Sequence, residues 1–152
     1  MSEPVCAIPL GPREVFERLH ERVRDDYDMD GQADLYAVDG TLELPFALAG
    51  MPRRLRGQEE IRKFLVAAGQ RARQAGRRIL KYDPLLVHES TDPEVIIAEF
   101  ELHGEVAATG ETYRMPFIQV LRVREGKIMS MRDYFDPRAM SGTLDMSADR
   151  PR

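Results

Sequence analysis

Cysteine is almost absent: Cys6 is the single one among 152 residues. With no intramolecular partner it excludes a disulfide framework, and it excludes a multi-cysteine metal site. Long hydrophobic runs are missing too. No stretch approaches the roughly 18 apolar residues of a membrane helix. The opening MSEPVCAIPLG has neither the basic n-region nor the apolar run of a signal peptide. A basic surplus is also wanting: 26 acidic against 22 basic residues leave a net charge of −4, which argues against a nucleic-acid partner. There is no phosphate loop, no dinucleotide fingerprint and no Gly-x-Ser-x-Gly elbow. His88 and His103 lack ligand spacing to a third residue, so no metal is expected, and no cofactor. What is there is one domain's worth of chain, 43% hydrophobic and 32% charged. Such a chain buries a core and stays in solution. The expectation is a cytoplasmic globular domain that neither enters a membrane nor binds nucleic acid.

Residues 1–11, with Pro4 and Pro9 and no periodicity, read as an arm; 12–140 as a single domain; 141–152 as a small, polar, charged tail. Gly11-Pro12 opens a helix, since proline at the first helical position loses nothing. Val15, Phe16, Leu19 and Val23 give it one apolar stripe, to about Tyr27. A short helix through Leu35 and Tyr36 is predicted to end at the turn dipeptide Asp39-Gly40. Thr41–Ala47 reads as a strand, followed by a loop to Gly57. Ile61, Phe64, Leu65 and Ala68 mark a long helix from Gln58 that fades into the basic run RARQAGRR. Four strands follow: Ile79–His88, Val95–His103, Tyr113–Val123 and Lys127–Phe135. Pro84 points to a bulge or an edge position in the first. Glu125-Gly126 is the last turn.

Helices first and consecutive strands after make an α+β fold on an antiparallel or mixed sheet. The strands are apolar on more than one face. Ile96, Ala98, Phe100 and Leu102 form one face of their strand, while Val95 and Ile97 begin the other. Phe117, Ile118, Val120 and Leu121 place apolar side chains on both. A sheet covered on both faces needs two covers. The helices supply one, and a second copy of the chain is the simplest other, so a homodimer is expected.

Three segments together carry a family resemblance: Asp39-Gly-Thr-Leu-Glu-Leu-Pro-Phe46, Arg54-Leu-Arg-Gly-Gln-Glu-Glu-Ile61 and Gly126-Lys-Ile-Met-Ser-Met-Arg-Asp-Tyr-Phe-Asp-Pro137. In order and spacing they resemble the SnoaL-like branch of the nuclear transport factor 2-like superfamily. That branch is similar to ketosteroid isomerases, limonene epoxide hydrolase, polyketide cyclases and phenazine-biosynthesis A/B proteins. The resemblance implies a cone-shaped roll, with N-terminal helices packed on a curved sheet that encloses a pocket. It implies acid–base chemistry on an apolar small molecule, such as cyclisation, isomerisation, hydration or epoxide hydrolysis. A binding or assembly module without turnover is the other reading, because a fold does not fix a function.

Asp133 is the first candidate. It shares a strand face with Met129, Met131 and Phe135, an apolar setting that raises a carboxyl's pKa and suits a general acid. The segment resembles the epoxide hydrolase end-strand that carries a catalytic aspartate. A structural ion pair with an arginine such as Arg132 is the competing role. Glu99 and Glu101 are expected to join Asp133 from a neighbouring strand, or else to form a solvated face. Gln119 falls where the isomerase resemblance places a donor to the oxyanion. An amide between Phe117 and Leu121 needs either a ligand or a carboxylate such as Asp133. His20 and Tyr36 match two tyrosines of the isomerase network, although a single histidine on a helix is more often a surface or core residue. Leu44 and Leu65 stand where the isomerase has its base and a third tyrosine, which argues against that enzyme's own chemistry. Phe46, Met115, Phe117, Met131 and Phe135 are expected to line the pocket.

Overall fold

The computed structural model describes residues 8–24 and 27–140. Most of the arm with Cys6, the pair Asp25 and Asp26, and the tail 141–152 lie outside the described residues. Helix α1 (Pro12–Arg24) starts where glycine and proline place it. The Gly11 N–H donates to the Glu14 carboxylate at 3.3 Å, half of a capping box. The helix buries Val15, Phe16, Leu19 and His20 on one stripe. Full burial of a side chain such as Phe16 stabilises by roughly 1.5–3 kcal/mol. Helix α2 (Met29–Ala33) is one short turn capped by Asp28, whose carboxylate accepts from the Gly31 N–H at 2.9 Å.

Strand β1 (Tyr36–Glu43) begins earlier than the sequence predicts, and Asp39-Gly40 lies inside it. The dipeptide accommodates a register shift between Tyr36 and Thr41 against the last strand, so it bends a strand rather than ending one. Gly40 has no room for a side chain: an added Cβ would sit 2.9 Å from the Ile128 carbonyl. Strand β2 (Arg54–Arg56) is three residues within what reads as loop. Helix α3 (Gln58–Gln74) follows, its start tied to β1 by the Gln58 amide donating to the Tyr36 carbonyl at 2.9 Å.

The last four strands are β3 (Arg77–Glu89), β4 (Val95–Val106), β5 (Thr112–Arg124) and β6 (Lys127–Phe135). They join β1 and β2 in one open six-stranded sheet, ordered β2-β1-β6-β5-β4-β3. The chain crosses from one edge to the other along α3, then returns strand by strand until β6 lies parallel to β1. The sheet is therefore mixed, with that one parallel pair. Pro84 sits on an edge strand and within a register shift between Tyr82 and Leu85, as its chemistry requires. Glu125 and Gly126 both take positive φ, 51° and 75°, between the paired ends Arg124 and Lys127. That is the primed turn suited to strand twist. Helices α1 and α3 cover one face of the sheet, and the core between them holds Val15, Phe16, Leu42, Leu55, Ile61, Ile96, Ala98, Leu121, Ile128 and Met131.

Candidate functional site

Between the helices and the sheet lies a cavity of about 160 Å³. That is room for one ring rather than the ~300–1,000 Å³ of a drug-sized site. Alternate residues of paired strands build its floor. Ala98 of β4, Gln119 of β5 and Asp133 of β6 are direct cross-strand neighbours. One step along, Phe100, Phe117 and Phe135 form a second row, with ring centroids 5.0 Å and 5.4 Å apart. Met115 and Tyr113 continue the inward face of β5. Leu19 and His20 of α1, and Phe64, Leu65 and Ala68 of α3, close the other side. Leu44 also lines it, so the position where the isomerase resemblance has a base carries an apolar wall here.

The polar groups at the floor are few. The Gln119 amide nitrogen donates to Asp133 Oδ1 at 3.2 Å. Burial raises the Asp133 pKa to about 7, against the opposing pull of that hydrogen bond. His20 is 9% exposed and is held among aromatic rings, with centroids 4.3 Å from Phe16 and 4.6 Å from both Tyr82 and Phe100. Burial lowers its pKa to about 4, slightly offset by the nearby Gln119 amide, so it is neutral at pH 7. Among the described residues neither His20 ring nitrogen has a well-aligned hydrogen-bond partner, nor does Gln119 Oε1, although the two side chains lie close enough for the amide to act on the imidazole. At the Tyr113 end, Gly104 leaves the space that the Tyr113 ring occupies, and the Arg77 guanidinium sits 5.0 Å above that ring. Burial pushes up the pKa of the Tyr27 and Tyr82 phenols, and the neighbouring Tyr113 adds to the effect.

Six of the expected residues meet at this cavity: Asp133, Gln119, His20, Met115, Phe117 and Phe135. Five do not line it. Glu99 and Glu101 are on the opposite face of the sheet, because register pairs them with Ile118 and Pro116 rather than with Gln119. They are partnered there: Glu99 with His88 at 2.8 Å, and Glu101 with His103 at 3.2 Å. Phe46 is also outside, 60% exposed, its ring against Tyr134 at 5.5 Å. It turns outward because the chain leaves β1 at Glu43, before Pro45. Met131 is 2% exposed and packs into the core beyond the cavity. Tyr36 is equally buried in the core, close enough for the Asp133 charge to help raise its pKa. Met129, expected beside Asp133, gives its inward place to Ile128 at a bulge opposite Arg122 and Val123.

Tyr113 could have been found in the sequence by continuing the parity of Met115, Phe117 and Gln119. Tyr27, Gln32, Tyr82 and Arg77 also line the cavity, and no spacing in the sequence assembles them. On the outer face Phe46, Leu86, Glu99, Ile118 and Tyr134 border a groove of about 730 Å³.

Helices on an open mixed sheet, with a mostly apolar cavity and a buried carboxyl at its floor, make the nuclear transport factor 2-like fold. The chain belongs to the SnoaL-like domain family, whose model matches residues 16–131. It is 29% identical over 128 residues to "Uncharacterized protein YesE" of Bacillus subtilis (strain 168), covering 80% of this chain and 84% of that one. Among solved structures it is similar to a "Putative Isomerase from Bacillus subtilis", with TM-score 0.64, 28% identity, and 82% and 91% of the two chains covered. A "putative polyketide cyclase" of Xanthomonas campestris pv. campestris shares the fold at TM-score 0.62 and 21% identity, over 85% of this chain and 96% of that one.

Proposed function

We propose that the protein is a cofactor-independent acid–base enzyme that moves a proton on a small apolar molecule, with Asp133 as the group that carries it. The observation behind this reading is a carboxyl with pKa near 7 at the floor of an apolar cavity. A group that titrates near working pH both gives and takes a proton readily. The similarity to a structure called an isomerase supports the same direction. Among the described residues Asp133 is the one carboxylate that lines the cavity. A single proton carrier suits isomerisation or cyclisation through an enol better than epoxide opening by paired acids. Gln119 holds the carboxyl in place, Met115, Phe117 and Phe135 supply the apolar walls, and His20 faces the same space as a neutral imidazole. The working form is a homodimer in the cytoplasm, joined through the outer face of the sheet, and a single cysteine suits that reducing compartment.

The test is Asp133→Asn, assayed on polyketide-like ketones, unsaturated carbonyl compounds and epoxides. The variant should fold and bind yet lose roughly 10²–10⁴-fold in turnover. Wild-type turnover by the variant overturns the assignment. Ligand binding without turnover by either protein makes the domain a binding module.

A further inference from the structure

We infer that the cavity takes a ligand whose polar head is a hydroxyl (an alcohol, a phenol or an enol), seated against Gln119 and His20. The inference rests on the cavity being the substrate site and specifies the chemistry of what enters it.

Three buried polar atoms of cavity-lining residues have no well-aligned partner among the described residues: Gln119 Oε1, His20 Nδ1 and His20 Nε2. Both side chains are at least nine-tenths buried, at 6% and 9% exposure. A buried polar atom left unpaired costs roughly 1–3 kcal/mol. The hydrogen bond from Gln119 Nε2 to Asp133 turns the amide oxygen away from the carboxylate. What the amide still needs is therefore a donor, since the His20 N–H lies near Gln119 but is not aligned to satisfy it. A neutral imidazole offers one N–H and one acceptor nitrogen, so it takes either partner.

Few head groups fit that set. A carbonyl or ether has no proton for Gln119 Oε1. A carboxylate has none either, and its charge would lie beside Asp133 in a low-dielectric space. An ammonium could donate to Gln119 Oε1 but offers no acceptor for the His20 N–H, and its charge would be buried with only an ionised Asp133 to pair it. A hydroxyl both donates and accepts. Its proton goes to Gln119 Oε1 and its oxygen accepts from the His20 N–H. The body of such a ligand would lie among Phe100, Phe117 and Leu44, within about 160 Å³, the size of a single ring.

The experiment compares three uncharged probes of nearly equal size at pH 8.5: 4-methylphenol, 4-methylbenzaldehyde and p-xylene. At this pH Asp133 is ionised and pins the amide, while a phenol, ionising near pH 10, stays neutral. Affinities are measured by ligand-observed NMR on the wild type, Gln119→Met and His20→Phe. The wild type should prefer 4-methylphenol to each of the others by roughly 10–100-fold, the ratio expected when a site built for a hydroxyl meets an analogue without one. Gln119→Met should reduce that preference to within about 3-fold, the residue of hydrogen bonding left to His20. Equal binding of all three probes by the wild type overturns the inference and leaves the cavity reading standing, as does a preference unchanged in both variants. No binding of any probe overturns both. Failure of the acid–base reading would appear separately, as full turnover by Asp133→Asn.

Discussion

Gln119 and Asp133 are directly opposed residues of paired strands, and the Gln119 amide donates to the Asp133 carboxylate at 3.2 Å. The bond favours the charged form, yet burial outweighs it and the pKa still rises to about 7. On the other side the same amide lies near His20, whose pKa burial lowers to about 4. One side chain thus stands between an acid that resists losing its proton and a base that resists gaining one.

The two groups should give opposite slopes of stability against pH. Asp133 keeps its proton in the folded state up to about pH 7, whereas the unfolded chain loses it near 3.8. Between those values the folded state binds more protons, so this group's contribution falls as pH rises. His20 is neutral in the folded state down to about pH 4, against 6.5 unfolded. There the unfolded state binds more protons, and stability rises with pH. From pH 4 to 6.5 the two largely cancel. Tyr36 and Tyr82, the phenols nearest them, are shifted upward and stay neutral in this range. Asp133→Asn should therefore leave a rising profile and His20→Phe a falling one. At pH 8 Asp133→Asn should be more stable than the wild type by roughly 2–4 kcal/mol, since each tenfold change in proton affinity is worth about 1.4 kcal/mol. Urea denaturation from pH 4 to 8.5 checks all three proteins, and parallel profiles would refute the assignment.

Gly104→Ala should disturb the Tyr113 end of the cavity. A Cβ at Gly104 would lie 2.3 Å from the Tyr113 ring and 2.4 Å from its hydroxyl. The ring must move, and Arg77, 5.0 Å above it, loses its stacking surface. Overpacking of this kind costs roughly 1–3 kcal/mol. Thermal melting reads the loss. An unchanged melting temperature would show that the ring does not rest on Gly104.

Phe117→Ala tests the row of rings. Phe117 stacks on Phe100 with planes only 9° apart and touches Phe135 on the other side. It borders both the cavity and the outer groove, so it is half-buried rather than sealed in the core. The loss should be roughly 2–3 kcal/mol, below the ~3–5 kcal/mol of a fully buried phenylalanine. Chemical denaturation measures it. A loss under about 0.5 kcal/mol, the range of plain surface changes, would mean that the rings do not stack in solution.

The fold was legible because its signals are local. Lys127–Phe135 reads as a strand behind a Glu125-Gly126 turn, and Ile61, Phe64, Leu65 and Ala68 repeat at helical spacing. Pro84 marked its own edge. What escaped depends on pairing. Asp39-Gly40 reads as a turn because nothing nearby in sequence reveals that β6 returns to lie parallel to β1. Glu99 and Asp133 each alternate correctly within their own strands. Whether two strands show the same parity to the same face depends on register, here Ala98 to Gln119 to Asp133. A one-residue slip exchanges the faces, and that slip separated the two glutamates from the cavity. Gln119 was legible for a simpler reason: an amide between Phe117 and Leu121 on an inward face must have a partner, and Asp133 is that partner.

The outer face of the sheet leaves apolar side chains in the open. Ile118 is 42% exposed and Leu86 52%, and both border the outer groove with Phe46 and Tyr134. A second copy of the chain seated there would remove this apolar surface from water, and a stable interface needs roughly 800 Å² from each partner. Ile118→Glu places a third carboxylate beside Glu99, its direct cross-strand neighbour, and near Glu101. Like charges opposed across a sheet repel, and a charge buried at an interface without a partner is strongly unfavourable. Within one chain the side chain remains partly open to water, so the fold itself should lose at most about 1 kcal/mol. Sedimentation at tens of micromolar should therefore show a wild-type dimer and an Ile118→Glu monomer, with similar circular dichroism. A wild-type monomer at that concentration would refute the dimer, and a dimeric Ile118→Glu would place the interface away from this face.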